Sequence, residues 1–450
     1  MSERANFKNT LGVILATAGS AVGLGNVWRF PYMAGENGGA SFIIVYVLCI
    51  LMLGLPCMIT EFIIGRHSAS NTARAYNKMG NKMWGLVGVI SVATGFLITC
   101  YYVIVSGWCL EYLFATINGG LSGDAQYYVD YFTEFSQNPW KQVVWAVVFM
   151  AITHYVITRG VRGGIEKASK VLMPALFVLL LVIVVAACSL PEAEKGVTFL
   201  FRPDFSKITP GTLLDAMGQS FYSLSIGMGC ICTYASYFSR QTNLSKSAIQ
   251  ISVIDCIVAI LAGLMIFPAA FSIGVQPDSG PSLIFITLPN VFQQAFGTVP
   301  VIGFAVSLAF YALMSLAALT SLISLHEVST AFFQEEMKIS RKKSATIVSV
   351  ATTTIGVFCS LSLTGVDWLT FGGRSLFDLF DFMTGQIFLP AVGFFACLFI
   401  GWYVPVKTVQ EEFTNWNTLK TPFFSLFLFC IRVVCPISIL MIFLNQLGVI

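Results

Sequence analysis

Charge is what this chain has least of. Only 10% of its 450 residues are Asp, Glu, Lys or Arg, against 56% that are hydrophobic, and the mean hydropathy is +0.80. A soluble domain is roughly a quarter charged, so this chain cannot wet its own surface and lipid must cover much of it. Histidine is nearly absent: His67, His154 and His326 are scattered, and no nucleophile or metal-ligand motif accompanies them. That removes the residue clusters a membrane enzyme needs. The twelve cysteines fall mostly in apolar stretches without metal-ligand spacing and read as packing residues. The sequence shows no low-complexity tract or soluble domain, and no cleavable leader is expected because the first apolar run lacks a small-residue cleavage site. The net charge of +3 is too small to point to nucleic acid. No apolar run shows the polar stripe or charged ring of an ion pore.

Long apolar runs are what the chain has in quantity. A bilayer core about 30 Å thick needs roughly 20 apolar residues in a helix. Runs of that kind lie near 11–31, 40–65, 85–116, 142–158, 167–189, 211–238, 246–273, 300–333, 345–363, 376–402 and 421–444. The reading is an all-α polytopic membrane protein with eleven transmembrane helices and its termini on opposite sides. Runs 85–116 and 300–333 exceed one bilayer thickness, which implies tilt or extension beyond it. With the N-terminus cytoplasmic, the outer loops hold only Lys141, Lys195, Arg202, Lys207 and Arg374. Arg29 and Arg432 sit inside apolar runs, and the other eighteen of the 25 basic residues fall on the inner side. Basic residues accumulate on the cytoplasmic side. The expectation is therefore a multi-pass protein of the cell (inner) membrane, N-terminus cytoplasmic and C-terminus extracytoplasmic.

Two runs are poor candidates for straight helices. The first contains Gly19-Ser20-Ala21-Val22-Gly23-Leu24-Gly25-Asn26, and the sixth contains Ser223-Leu224-Ser225-Ile226-Gly227-Met228-Gly229. Glycine costs about 1 kcal/mol against alanine inside a helix. Lipid cannot satisfy free backbone groups, so an unwound stretch at this depth must be buried in protein or line a cavity. A lone glycine pair would more simply permit close helix packing. Here the two breaks open successive five-span sets, and paired interrupted helices point to a midplane binding site in a secondary transporter.

Six ionisable residues inside the apolar runs are singled out: Arg29, Glu61, Asp255, Asp378, Asp381 and Arg432. Each is a functional candidate because a charge at such depth is expensive. Arg29, one turn beyond the first break, and Asp381, at similar depth, are expected to pair as an outer gate. Arg432 reads as a residue that snorkels to the interface. Glu61 and Asp378 are open between structural and functional roles. Asp255 has no basic neighbour in sequence, so either a bound cation or a proton must neutralise it.

These residues carry a signature. Gly19-Ser20-Ala21-Val22-Gly23-Leu24-Gly25-Asn26-Val27-Trp28-Arg29-Phe30-Pro31 resembles the first-helix motif of the neurotransmitter:sodium symporter family. Glu36-Asn37-Gly38-Gly39, Gln219-Ser220-Phe221-Tyr222-Ser223-Leu224-Ser225, Thr233-Tyr234-Ala235-Ser236-Tyr237, Phe285-Ile286-Thr287-Leu288-Pro289 and Leu319-Thr320-Ser321 match in the same order along nearly the whole chain. The resemblance is to the bacterial amino acid transporter branch. It implies a 5+5 inverted repeat with helices 1 and 6 unwound: residues 1–190 as the first repeat, 191–405 as the second, and 406–450 as helix 11. It implies two sodium ions, the amino acid substrate as the only partner besides the bilayer, and no obligate protein partner.

By the same resemblance, one sodium would be held by the Ala21 carbonyl, Asn26, Ser223, Asp255 and the substrate carboxylate. The other would be held by the Gly19, Val22 and Ala317 carbonyls with the Thr320 and Ser321 hydroxyls. A lone Ser or Thr in a membrane helix usually bonds its own backbone; the adjacent pair in this motif argues otherwise. The substrate would lie among Ala21, Val22, Gly23, Leu24, Gly25, Ile98, Tyr102, Tyr222, Ser223, Ser225, Met228, Ser321 and Leu325. Tyr102 would donate to its carboxylate, and carbonyls at Ala21, Tyr222 and Ser225 would meet its ammonium. Gly23 stands where monoamine carriers have an Asp, so the substrate brings its own carboxylate. Ala259 stands where chloride-dependent members have a Ser, and Asp255 beside Tyr46, Gln219 and Ser223 supplies fixed negative charge; transport is therefore expected without chloride. Met228 between two glycines favours large hydrophobic or aromatic side chains. Gates are expected at Arg29–Asp381 and, on the cytoplasmic side, Arg4–Glu335. The rival readings are a non-transporting amino acid sensor of the same fold and a symporter for small aliphatic amino acids.

Overall fold

The computed structural model describes residues 6–274, 282–296 and 300–449. Long apolar runs fold here as helices because only a helix satisfies every backbone group within its own segment. Among the described residues, nine unbroken helices are long and apolar enough to cross a bilayer, and a tenth span is the bent pair Thr10–Ala21 and Leu24–Glu36. The nine are Ala40–Ser68, Lys82–Ile117, Pro139–Thr158, Val161–Cys188, Leu244–Ser272, Val301–Glu336, Arg341–Ser362, Leu376–Tyr403 and Phe424–Gln446. They coincide with the apolar runs, counted here as spans two to five and seven to eleven. The run 211–238 forms two pieces, Pro210–Ser223 and Cys230–Ala235, each too short to cross by length. Among the described residues, strand is confined to the short hairpin Thr370–Phe371 with Arg374–Ser375.

Both expected breaks are present. The halves of the first span meet at 61°. Val22 and Gly23 between them are extended, with φ/ψ of −73/100 and −139/−163. In the sixth run, residues 224–229 leave the helix, and Ser225, Gly227 and Gly229 have φ of 55°, 87° and 78°. That left-handed conformation favours glycine. At Gly227 space forbids a side chain as well, since a Cβ there would lie 2.7 Å from the Leu389 carbonyl oxygen.

The broken elements are walled in by whole ones. Thr10–Ala21 packs against the fifth, seventh and eighth spans, and the third and eighth spans lie against each other. The periphery is apolar and exposed: Val171, Val178, Val182 and Val185 of the fifth span each show more than half of their surface. A soluble protein would not present such a stripe, and lipid is its natural cover. Spans two, ten and eleven each contain a wide π-type turn, at Ile50–Gly54, Met383–Phe388 with Phe399–Tyr403, and Cys430–Val434.

Candidate functional site

The site is built where the two breaks face each other. Asp255, midway along Leu244–Ser272, is wholly buried. Its carboxylate accepts hydrogen bonds from Asn26 Nδ2 at 2.7 Å, Ser223 Oγ at 2.8 Å and the Tyr46 hydroxyl at 3.1 Å. Asn26 Nδ2 also reaches Ser223 Oγ at 3.2 Å, and Asn26 Oδ1 accepts from the Gly23 amide at 3.0 Å. One carboxylate thus gathers side chains from the first, second, sixth and seventh spans, and Asn26 fastens the group to the broken backbone. Oxygen predominates around the carboxylate, as a hard cation requires. Gln219, one turn before Ser223, is fully buried, and neither its amide nitrogen nor its oxygen has a partner among the described residues.

The first and eighth spans meet beside this cluster. A Cβ on Gly19 would lie 3.3 Å from Thr320 Cβ and 3.3 Å from Met173 Sδ. Thr320 donates within its own helix, to the Ala317 carbonyl at 3.0 Å and the Leu316 carbonyl at 3.2 Å. Its oxygen keeps acceptor capacity. The expected second set (Gly19, Val22, Ala317, Thr320 and Ser321) is therefore confined to these two touching elements.

Between the breaks lies a pocket lined by Ser20, Ala21, Gly23, Leu24, Gly25, Asn26, Ile98, Tyr102, Tyr222, Ser223, Ser225, Met228, Ser321 and Leu325. Of the expected substrate residues only Val22 is missing from the wall; it is buried with 1% of its surface exposed. Ser20 was not anticipated. Its carbonyl accepts from Ser225 Oγ at 2.9 Å, which sews one break to the other. The Tyr102 hydroxyl meets Ser321 and the Leu24 backbone. None of the described lining residues carries a charge. The free space is about 50 Å³, so a large side chain is admitted only if the walls move. Gly23 is the tightest position: a Cβ there would stand 2.6 Å from Ser321 Oγ and 3.5 Å from the Tyr102 hydroxyl. Gly23→Ala is expected to weaken ligand binding at least tenfold while leaving the fold intact, since only the Ser321 hydroxyl must move. Ligand-induced thermal shifts against concentration measure this, and an unchanged midpoint concentration counts against it.

Glu61 closes the sixth-run break from behind. Its Oε1 accepts from the Gly227 amide at 2.6 Å and its Oε2 from the Cys232 amide at 3.3 Å. It satisfies backbone donors that unwinding sets free, which supports the structural reading of this residue. Asp378 is also local, accepting from Ser375 Oγ at 2.7 Å in a helix cap. Arg432 bonds the Gly401 carbonyl at 2.6 Å and lies over the Trp402 ring, so it is held by protein as well as by the interface.

The outer gate differs from expectation. Arg29 and Asp381 do not come within ion-pair distance; the Arg29 guanidinium instead lies over the Tyr222 ring, 4.7 Å from its centre. Asp381 is exposed and meets the Tyr101 hydroxyl. A planar guanidinium gains by stacking on a ring, and an exposed carboxylate loses little by staying in water. Arg4 lies outside the described residues. Glu335 accepts from the Asn71 backbone amide at 2.9 Å and from Asn71 Nδ2 at 3.0 Å. Sequence reasoning missed a second carboxylate at this end. Glu327, wholly buried, takes both arms of Arg341 at 2.9 and 2.5 Å and the Tyr237 hydroxyl at 2.7 Å. The available signal was an acid late in the eighth apolar run with an arginine fourteen residues on.

With this geometry in place, the relatives can be weighed. The sodium:neurotransmitter symporter family profile matches residues 4–125 and 122–450. The chain belongs to that family. The symporter is 38% identical to the sodium-dependent transporter YhdH of Bacillus subtilis, over 100% of this chain and 99% of that one. It is 25% identical to the human sodium- and chloride-dependent GABA transporter 2, over 91% of this chain and 75% of the relative. Its fold superposes on the crystal structure of MhsT in complex with L-phenylalanine with a TM-score of 0.88 at 39% identity, covering 99% of this chain and 100% of that one. The symporter is a multi-pass, helical membrane transporter of the family fold its sequence resembles, and not an enzyme.

Proposed function

We propose that this protein is a sodium-coupled symporter that takes up neutral amino acids with large hydrophobic or aromatic side chains by alternating access, without a need for chloride. The observation that carries the reading is the uncharged pocket between two unwound helices, with buried Asp255 at its edge. Unwound backbone offers carbonyls to a cation and amides to an anion, which suits a zwitterion together with sodium. One ion is assigned to Ala21, Asn26, Ser223 and Asp255, and the second to Gly19, Val22, Ala317, Thr320 and Ser321. Asn26 must turn its carbonyl oxygen toward that ion and give up its present bond to Asp255. Tyr102 is assigned to the substrate carboxylate, and Met228, held between Gly227 and Gly229, to the side chain. MhsT, of closely similar fold, binds L-phenylalanine. Arg29 over Tyr222 closes the pocket from outside, the N-terminus being cytoplasmic. Glu335, together with the buried Glu327–Arg341 pair, closes it from inside. The tightness of the pocket, about 50 Å³ of free space, favours small aliphatic substrates as the second reading.

A thermal-shift screen of the twenty amino acids in sodium and in potassium separates these readings. Ligand at a hundred times its dissociation constant stabilises the folded form by about 2.7 kcal/mol. Shifts are expected from phenylalanine, tryptophan, tyrosine, leucine and isoleucine in sodium only. Equal shifts in potassium would refute sodium coupling, and shifts confined to glycine and alanine would establish the small-substrate reading. Concentrative uptake in proteoliposomes under a sodium gradient then distinguishes a transporter from a sensor.

A further inference from the structure

Three thiols outside the transport site converge where three helices widen. Cys57 follows the wide turn Ile50–Gly54 of the second span, Cys397 precedes Phe399–Tyr403 of the tenth, and Cys435 follows Cys430–Val434 of the eleventh. All three are buried, with 2%, 0% and 0% of their surface exposed. Cys57 Sγ and Cys397 Sγ are 3.6 Å apart, and the three sulfurs lie within 4.8 Å of one another. The Cys435 thiol also approaches the Met52 and Leu53 carbonyls of the first wide turn, at 3.7 and 3.9 Å.

Packing alone asks only for small apolar groups at these places and does not require that sulfur meet sulfur. A metal–sulfur bond of about 2.3 Å, in a planar three-coordinate arrangement, sets sulfurs about 4.0 Å apart. That value falls inside the observed range. Among the described residues no His, Asp or Glu joins the cluster, which disfavours hard cations and leaves zinc without its fourth ligand. All-sulfur ligation selects soft ions. We propose that Cys57, Cys397 and Cys435 form a binding site for a soft monovalent d10 cation of the copper(I) or silver(I) type, which staples the second, tenth and eleventh spans together and arrests transport. Binding replaces one proton: one thiol becomes thiolate on the ion and releases H⁺, while the other two ligate as neutral thiols. The buried complex is then uncharged, as its apolar surroundings require. The staple reaches the transport site through the second span, where Glu61 stands one turn after Cys57 and bonds the sixth-run break.

The test uses silver nitrate with the reduced, purified full-length protein in chloride-free buffer, with excess methionine to strip ions held by single thiols. Retained silver is measured after desalting, and sodium-driven uptake is measured in proteoliposomes. The wild type is expected to retain one silver ion per chain, release one proton and lose at least nine-tenths of its uptake. Cys57→Ala and Cys397→Ala are expected to retain at least tenfold less silver and to keep their uptake in its presence. Cys188→Ala, which removes an exposed thiol outside the cluster, should match the wild type. Should either cluster variant misfold by its thermal midpoint, Cys435→Ser takes its place. Silver retained equally by the cluster variants, or lost in Cys188→Ala, overturns the site. Silver retained without loss of uptake overturns the staple. Retention is read independently of transport, so the site is tested whatever the substrate proves to be.

Discussion

Replacing Asp255 by asparagine is expected to lower sodium-driven uptake at least tenfold in chloride-free medium without unfolding the protein. The two side chains have the same shape, so packing in the seventh span is preserved. What changes is charge. The carboxylate accepts from Asn26, Ser223 and Tyr46, and bonds to a charged partner contribute about 1.5–3 kcal/mol each against about 0.5–1.5 for neutral ones. Losing the difference at a single bond already approaches the roughly 1.4 kcal/mol that corresponds to tenfold in affinity. The cation proposed beside it loses its only full negative partner from the protein as well. Wild-type uptake should be the same in gluconate and in chloride, while the variant should recover part of its activity when chloride is restored. A wild type that needs chloride would sink the assignment of Asp255 as the fixed counter-charge.

Glu61→Ala should destabilise the protein by about 3 kcal/mol, because two buried amides lose their acceptor and each unsatisfied group costs about 1–3 kcal/mol. Those amides, of Gly227 and Cys232, border the turn that forms one wall of the pocket. The effect should therefore appear twice: as a lower thermal midpoint, read as operational stability in detergent, and as weaker sodium-dependent ligand binding. Glu61→Gln, which keeps one acceptor oxygen, should fall between the alanine variant and the wild type. If the alanine variant melts with the wild type and binds ligand equally well, Glu61 is not what holds the break in shape.

Why some of this was legible in advance is a matter of range. Length and apolarity act within a segment, so the membrane-crossing runs follow from the sequence. The breaks at 22–23 and 224–229 follow from clustered glycines, which weaken a helix locally whatever surrounds it. Asp255 stood out because a lone carboxylate in an apolar run demands a partner, and the partners found are Asn26, Ser223 and Tyr46. The features that escaped depend on contacts between distant segments. Glu327 was passed over, because its role depends on Arg341 and Tyr237 from other segments. Arg29 was expected to seek a charge and took the face of Tyr222, a choice set by which group lies nearer. The wide turns leave no mark in composition, and so the meeting of Cys57, Cys397 and Cys435 was invisible among twelve apolar cysteines.

Ser321 stands at a crossroads. Its hydroxyl touches Gly23 and Tyr102 on the pocket side, while its neighbour Thr320 abuts Gly19 on the other. If amino acid and ion occupy the places assigned to them, one oxygen serves both, and no distant relay is needed for either to sense the other. Thermodynamic reciprocity then fixes the bargain: whatever factor the ion adds to the grip on the amino acid, the amino acid returns to the ion. Strict co-transport, on this view, is a property of one shared atom's position.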